Sequence, residues 1–312
     1  MKPFAFVFPG QGSQAVGMLD AWGDHPTVAS VLQESSQALG EDVGKLIKEG
    51  PKEALGLTTN TQPVMLVAGV AAYRVWLAEG GAVPSVVAGH SLGEYSALVA
   101  SGVLSLRDAV QTVRLRAAAM QEAVPVGTGA MAAVLGLNAM DVVAVCAEVS
   151  AAAGEIVEAA NFNDPAQTVI SGSTAGVEKA CELLKAKGAK RCLPLAVSAP
   201  FHSSLMKPAA EKLKAHLESL TFNLPQIPLV NNIDVLVESD AAKIKDALYR
   251  QAFGPVRWVE CIAAIKARGV NTVIECGPGK VLSSMCKRID AELVSGAVFD
   301  LVSLTEAKAL LA

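Results

Sequence analysis

The chain has 312 residues, 26 Lys and Arg against 30 Asp and Glu for a net charge of −4, and 52% hydrophobic residues; this is enough to bury a large core, as one big domain or two parts. The acidic balance, with no basic patch interleaved with aromatics, speaks against nucleic acid as a partner. A mean hydropathy of +0.39 raises the question of a membrane, but the two longest uncharged stretches are broken. Residues 54–73 contain Thr58-Thr59-Asn60-Thr61-Gln62-Pro63, and residues 123–140 contain Pro125, Gly127, Gly129 and Gly136. Neither is a continuous apolar span of bilayer length. A soluble α/β protein whose strands are apolar because both of their faces are buried is the expectation. Six cysteines (Cys146, Cys181, Cys192, Cys261, Cys276, Cys286) show no C-x-x-C spacing and lie mostly in apolar runs, so core thiols in a reducing cytoplasm are expected, with neither disulfides nor a metal site.

In chain order, Met1-Lys2-Pro3-Phe4-Ala5-Phe6-Val7-Phe8 is too short an apolar run for a signal peptide and leads straight into a glycine turn, so it reads as the first strand. The turn that follows, Pro9-Gly10-Gln11-Gly12, lacks the lysine of a P-loop and the third glycine of a dinucleotide fingerprint. Ser85-Val86-Val87-Ala88 is a short β-branched run, and residues 94–100 are helix-compatible; between them stands Gly89-His90-Ser91-Leu92-Gly93. A serine at such a strand-to-helix corner takes a strained backbone that flanking glycines permit, which exposes its hydroxyl and aims the next amide N–H at the same space. The plainer alternative is a glycine-punctuated turn with a solvated serine. Ser105 starts a further helix, on which Arg107, Gln111, Arg114 and Gln121 form one polar stripe and Arg116 lies opposite, beside Ala109, Val113 and Met120. An inward guanidinium needs a carboxylate or phosphate to grip; an internal salt bridge and an anionic substrate both satisfy that.

From Gly129 the alternation changes. Strand (130–135), helix (139–152), strand (156–160), a turn at Asn163-Asp164-Pro165, strand (168–171), helix (174–187) and strand (191–197) give the order β-α-β-β-α-β. A ferredoxin-like subdomain is therefore expected at 126–197, inserted in a parent domain of residues 1–125 and 198–312, with the active site at the seam.

A serine hydroxyl needs a base within hydrogen-bond reach. Of four histidines, His90 adjoins Ser91 and points elsewhere by alternation, His216 sits in the charged helical run Lys212 to Glu218, and His25 lies in a loop near a helix start. That leaves His202, where the chain re-enters the parent domain. The acidic residues between positions 91 and 202 read as solvated helix faces, and Asp164 as a turn residue. A Ser-His dyad is expected, its imidazole oriented by a backbone carbonyl or an amide. Loops at the carboxyl ends of parallel strands converge on one crevice, so the amides of Gln11 and Leu92 would form an oxyanion hole there.

Together these blocks resemble the malonyl-CoA:acyl carrier protein transacylases of type II fatty acid synthesis over essentially the whole chain. The likeness rests on Phe8-Pro9-Gly10-Gln11-Gly12-Ser13-Gln14; Gly89 to Glu94; Arg114-Leu115-Arg116 with Met120-Gln121; Asn161-Phe162-Asn163 and Gln167 to Gly172; Ser198-Ala199-Pro200-Phe201-His202; Gln251 with Pro255 to Trp258; and Glu275-Cys276-Gly277-Pro278-Gly279. The resemblance implies an α/β-hydrolase-like large part with a ferredoxin-like small one. It implies Ser91 as acylated nucleophile, His202 as its base, Gln11 and Leu92 as oxyanion donors and Arg116 as the binder of the malonyl carboxylate. It implies Gln251 near the histidine, in the region whose carbonyl orients the imidazole. Leu92 and Phe201 resemble the malonyl-selective variants. Expected substrates are malonyl-CoA and holo acyl carrier protein, with no cofactor, in a cytoplasmic monomer. An acidic carrier would meet either Lys185, Lys187, Lys190 and Arg191 or Lys280, Lys287 and Arg288. A serine esterase or thioesterase and a silent carrier-protein docking module are the rival readings.

Overall fold

The computed structural model describes residues 2–197 and 199–312; Met1 and Ser198, which open the first strand run and one of the blocks above, lie outside the described residues. Nine strands form two sheets: β1 (Phe4–Phe8), β2 (Val86–Gly89), β3 (Gly129–Leu135), β4 (Val157–Asp164), β5 (Gln167–Ser173), β6 (Arg191–Pro194), β7 (Leu229–Val230), β8 (Thr272–Cys276) and β9 (Val294–Val298). The first sheet is parallel, in the order β7-β2-β1-β8-β9, and the second antiparallel, in the order β4-β5-β3-β6.

Strand β1 explains why the first sheet reads as unbroken apolar runs. Phe4, Phe6 and Phe8 point to one face, where the Phe6 ring meets Tyr73 and Trp76 of the helix Thr58–Ala78 edge-on, while Ala5 and Val7 point to the other, against Trp258 and Ile262 of the helix Trp258–Ala267. Both faces are covered, so alternation of size replaces alternation of polarity. The threonine-rich start of Thr58–Ala78, which interrupts the hydropathy of residues 54–73, is the first turn and a half of that buried helix. Among the described residues no helix is long and apolar enough to cross a membrane.

The second sheet carries the helices Ala139–Ala153 and Thr174–Ala186 on one side, around a separate core of Val134, Val142, Ile170 and Leu184. Its order along the chain is β-α-β-β-α-β. Two of the expected strand ends shift by three residues or more. β4 runs on through Asp164, so the turn falls at Pro165-Ala166. Asp164 is a buried residue there, with Oδ1 accepting from Ala166 N–H at 2.9 Å and Oδ2 taking the Arg288 guanidinium at 2.7 Å. β6 stops at Pro194; Leu195 N–H still reaches Met131 O of β3 at 2.9 Å, and residues 195–197 line a cleft. The two sheets are tied by backbone bonds between β4 and the strand-like segment at Val256: Phe162 N–H to Val256 O at 2.9 Å and Val256 N–H to Ala160 O at 2.8 Å.

Candidate active site

Strand β2 ends at Gly89 and the helix Gly93–Ala100 begins four residues later, which forces the chain to reverse within three residues. Ser91 takes φ +52°, a left-handed conformation that costs a non-glycine residue energy and persists only where the surroundings hold it. Close packing makes the turn possible. A Cβ on Gly89 would lie 1.9 Å from the Gly93 carbonyl carbon, and one on Gly93 2.0 Å from the Phe8 carbonyl oxygen. Asn232 then clamps the corner, its Oδ1 accepting from Ser91 N–H and its Nδ2 donating to Gly89 O, both at 2.7 Å.

The Ser91 hydroxyl meets His202 Nε2 at 2.6 Å. His202 also has positive φ, +60°, and its Nδ1 faces two main-chain carbonyls, Gln251 O at 2.9 Å and Gly254 O at 3.2 Å. Carbonyls only accept, so Nδ1 carries the proton and Nε2 presents its lone pair to the Ser91 O–H. No carboxylate contacts the imidazole among the described residues. Arg116, 2% exposed, completes the cluster: Nη1 donates to Gln62 Oε1 at 2.8 Å, and Nη2 to Ser91 Oγ at 3.2 Å and to Gln251 Oε1 at 3.1 Å. The guanidinium also lies 5.6 Å from the centre of the Tyr95 ring. Among the described residues none of its hydrogen-bond partners is charged, and no carboxylate is in ion-pair contact with it, so the internal salt bridge that the helix pattern left open is not what this arginine makes.

These groups open into a cleft of about 450 Å³ lined by Gln11, Gln62, Ser91, Leu92, Arg116 and His202, with Asn161, residues 195–197 and Phe201 on its far wall. The cleft sits at the carboxyl ends of β1 and β2, whose following loops are joined by His90 N–H to Phe8 O at 3.0 Å. The amides of Gln11 and Leu92 have no hydrogen-bond acceptor among the described residues, and both residues face this space.

Residues 5–301 match the family model "Acyl transferase domain". The malonyl CoA-acyl carrier protein transacylase of Salmonella typhimurium is 50% identical over 308 residues, covering 98% of this chain and 99% of that protein. The enzyme of the same name from Bacillus subtilis is 47% identical over 301 residues, 96% and 94% of the two chains. The chain belongs to the malonyl CoA-acyl carrier protein transacylase family. Among solved structures, the acyl-carrier-protein S-malonyltransferase of Burkholderia pseudomallei superposes with a TM-score of 0.96 at 64% identity, covering 98% of this chain and 99% of that one. A malonyl-transacylase in complex with its holo type II PKS acyl-carrier protein does so with a TM-score of 0.96 at 50% identity, covering 98% and 99%.

The electrostatics of this family member follow from burial. Desolvation and then the Arg116 cation push His202 down to about 3, against the pull of the two carbonyls, so the imidazole is neutral at pH 7. Burial also lowers Arg116 and pushes Glu94, directly behind the elbow, up to about 7. The six thiols are unpaired and burial pushes all of them up, which leaves none poised as a thiolate. Among the described residues no cluster of His, Cys, Asp and Glu could hold a metal ion.

The other three histidines are accounted for. His90 bonds Asn163 Oδ1 at 2.8 Å and packs on Trp258; His25 caps the helix Pro26–Leu39 by accepting from Thr27 N–H. His216 is half-buried, not on an open face, and bonds Thr112 Oγ1 at 3.0 Å. Sequence reasoning gave no role to Gln62, Asn161 or Asn232. The signal for Gln62 was present: an amide directly before the apolar run from Pro63 to Ala72, inside one helix, belongs to a buried polar contact. Asn232 carried no comparable mark.

Proposed function

We propose that this chain transfers a malonyl group from coenzyme A to the phosphopantetheine thiol of an acyl carrier protein through a malonyl ester on Ser91. The observation that carries this reading is the buried Arg116, which has only neutral partners and donates to the hydroxyl of Ser91 itself. A cation in that state favours a substrate that brings its own carboxylate, and a malonyl group attached through its thioester places that carboxylate a short reach from the reacting carbonyl.

In the first half-reaction the Ser91 proton passes to His202 Nε2 as Oγ bonds to the thioester carbon. The oxyanion is held by the Gln11 and Leu92 amides, and collapse breaks the C–S bond, with the imidazolium returning the proton to the departing coenzyme A sulfur. In the second, the carrier thiol gives its proton to His202, attacks the ester, and the proton goes back to Ser91 Oγ. Each step balances without a cofactor, and the kinetics are ping-pong. A histidine held neutral and fixed by carbonyls is suited to both directions of transfer. On this reading residues 1–125 and 198–312 form an α/β-hydrolase-like part and 126–197 a ferredoxin-like one. The strand order β4-β5-β3-β6 supports the second assignment. We also propose a cytoplasmic monomer that works without a cofactor. Of the two basic sets we favour Lys280, Lys287 and Arg288 as the carrier-facing one. Arg288 pairs with Asp164, next in sequence to the Asn163 that bonds His90, and Gly279 lies against Ser13.

The test is intact mass after incubation with malonyl-CoA, followed by addition of holo carrier protein. A malonyl adduct that depends on Ser91 and discharges onto the carrier is expected. An adduct that discharges only to water favours a thioesterase, and no adduct in the presence of bound carrier favours a silent docking module.

A further inference from the structure

Behind the elbow, three polar residues with almost no exposure share one carboxylate oxygen. Glu94 Oε2 accepts from Asn232 N–H at 3.0 Å and from Gln251 Nε2 at 3.0 Å; Glu94 is 2% exposed, and Asn232 and Gln251 are 0%. Glu94 does not line the cleft.

Its two donors lead to opposite halves of the site. The Asn232 side chain holds Ser91 N–H and Gly89 O, the polar groups on either side of the strained corner. The Gln251 amide donates from Nε2 to Ser91 O at 3.0 Å as well as to Glu94, which leaves Oε1 to accept from Arg116 Nη2, while the Gln251 main-chain carbonyl takes His202 Nδ1–H. A glutamine amide is nearly symmetric in shape, and turning it over would set its NH₂ against the Arg116 cation. The acceptor oxygens on the opposite edge, Glu94 Oε2 and Ser91 O, exclude that orientation, because only Nε2 can donate to them.

A carboxyl is an expensive way to fill this space. Burial disfavours its charge, and what offsets that is the pair of buried donors it satisfies, Asn232 N–H and Gln251 Nε2. We propose that Glu94 is a positioning residue: by fixing the Gln251 amide against Arg116 and the Asn232 clamp against Ser91, it sets the anion-binding half of the site in register with the nucleophile. This rests on the malonyl-Ser91 reading above.

The test compares Glu94→Gln, Glu94→Asp and Glu94→Ala for malonyl-CoA and acetyl-CoA, reading kcat, KM, adduct on Ser91 and thermal melting. Glu94→Gln keeps an acceptor oxygen at full reach and should retain the malonyl-over-acetyl preference. Glu94→Asp withdraws the acceptor by one methylene and Glu94→Ala removes it. Both should lower kcat/KM for malonyl-CoA by about 10- to 100-fold, the scale of an ångström-sized misplacement, and cut the preference for malonyl at least about tenfold. The proposal is overturned if the Asp and Ala variants keep the wild-type preference, if they lower both substrates equally in step with lost folded protein, or if the Gln variant loses the preference too. Should Glu94→Ala fail to fold, the Asp variant decides. Wild-type protein that takes no malonyl adduct would sink the underlying reading instead; an adduct with unchanged variant preference sinks only this inference.

Discussion

Replacing Arg116 with alanine separates the two things its guanidinium does. In the structure it donates to Gln62 Oε1, Gln251 Oε1 and Ser91 Oγ. With malonyl-CoA bound, the proposed role has it grip the free carboxylate with two parallel bonds. Hydrogen bonds to charged groups are worth about 1.5–3 kcal/mol each, so that grip amounts to roughly 3–6 kcal/mol. An acetyl group has no carboxylate and loses only the one bond from the guanidinium to the Ser91 hydroxyl, about 1.5–3 kcal/mol for a charged donor. The difference, roughly 1.5–3 kcal/mol at 1.36 kcal/mol per decade, predicts that the ratio of kcat/KM for malonyl-CoA to that for acetyl-CoA falls by about 10- to 160-fold. Both substrates acylate the same serine, so the ratio is insensitive to how much of the protein is folded. The assay is transfer of either acyl group to holo carrier protein, with melting curves alongside. The stability change is the sum of opposed effects: two buried amide oxygens lose a donor, and a desolvated cation is removed. An equal fall for malonyl and acetyl would refute the carboxylate role and make Arg116 a structural residue.

Three further outcomes follow from the geometry. His202, held neutral by burial and the Arg116 cation, should show no titration between pH 5 and 8 by NMR of the labelled imidazole; a transition near 6.5 would contradict its buried, doubly hydrogen-bonded setting. Gly93→Ala drives a methyl group to within 2.0 Å of the Phe8 carbonyl oxygen, which should cost about 3 kcal/mol or more, lower Tm by about 5 °C and reduce adduct formation, because the backbone around Ser91 must move. Unchanged melting would show that the corner is looser than its geometry. Glu275, pushed up to about 7 chiefly by burial, binds its proton more tightly in the folded than in the unfolded chain. Its neutral form is therefore favoured by folding, and stability is lost as pH rises from about 4.5 through 7. Glu275→Gln should gain on the wild type by up to about 3 kcal/mol between pH 5 and pH 8 in urea unfolding; a difference independent of pH would contradict that setting.

Much of this protein is written locally. The flanking glycines and the strand-to-helix change around Ser91 are short-range signals, as is the Ser105 cap that turns Arg116 inward, because period and steric allowance are properties of neighbouring residues. His202 could be reached by elimination because the chain has so few histidines. What local pattern could not supply was partnership across separations of 49 to 141 residues. That Asn232 clamps the elbow, that the main-chain carbonyls of Gln251 and Gly254 hold the imidazole, and that Gln62 meets Arg116 depend on loops converging at the carboxyl ends of β1, β2 and β7. Main-chain carbonyls in particular are the same in every residue and leave no mark in a sequence. Asp164 and His216 make the same point on a smaller scale: read alone, one is a turn residue and the other a helix-surface residue, and only packing gives them Arg288 and Thr112. The amino-acid order determined which groups could do chemistry. Their distances, protonation and orientation were decided by burial, because desolvation and hydrogen-bond geometry exist only once the chain has closed around them.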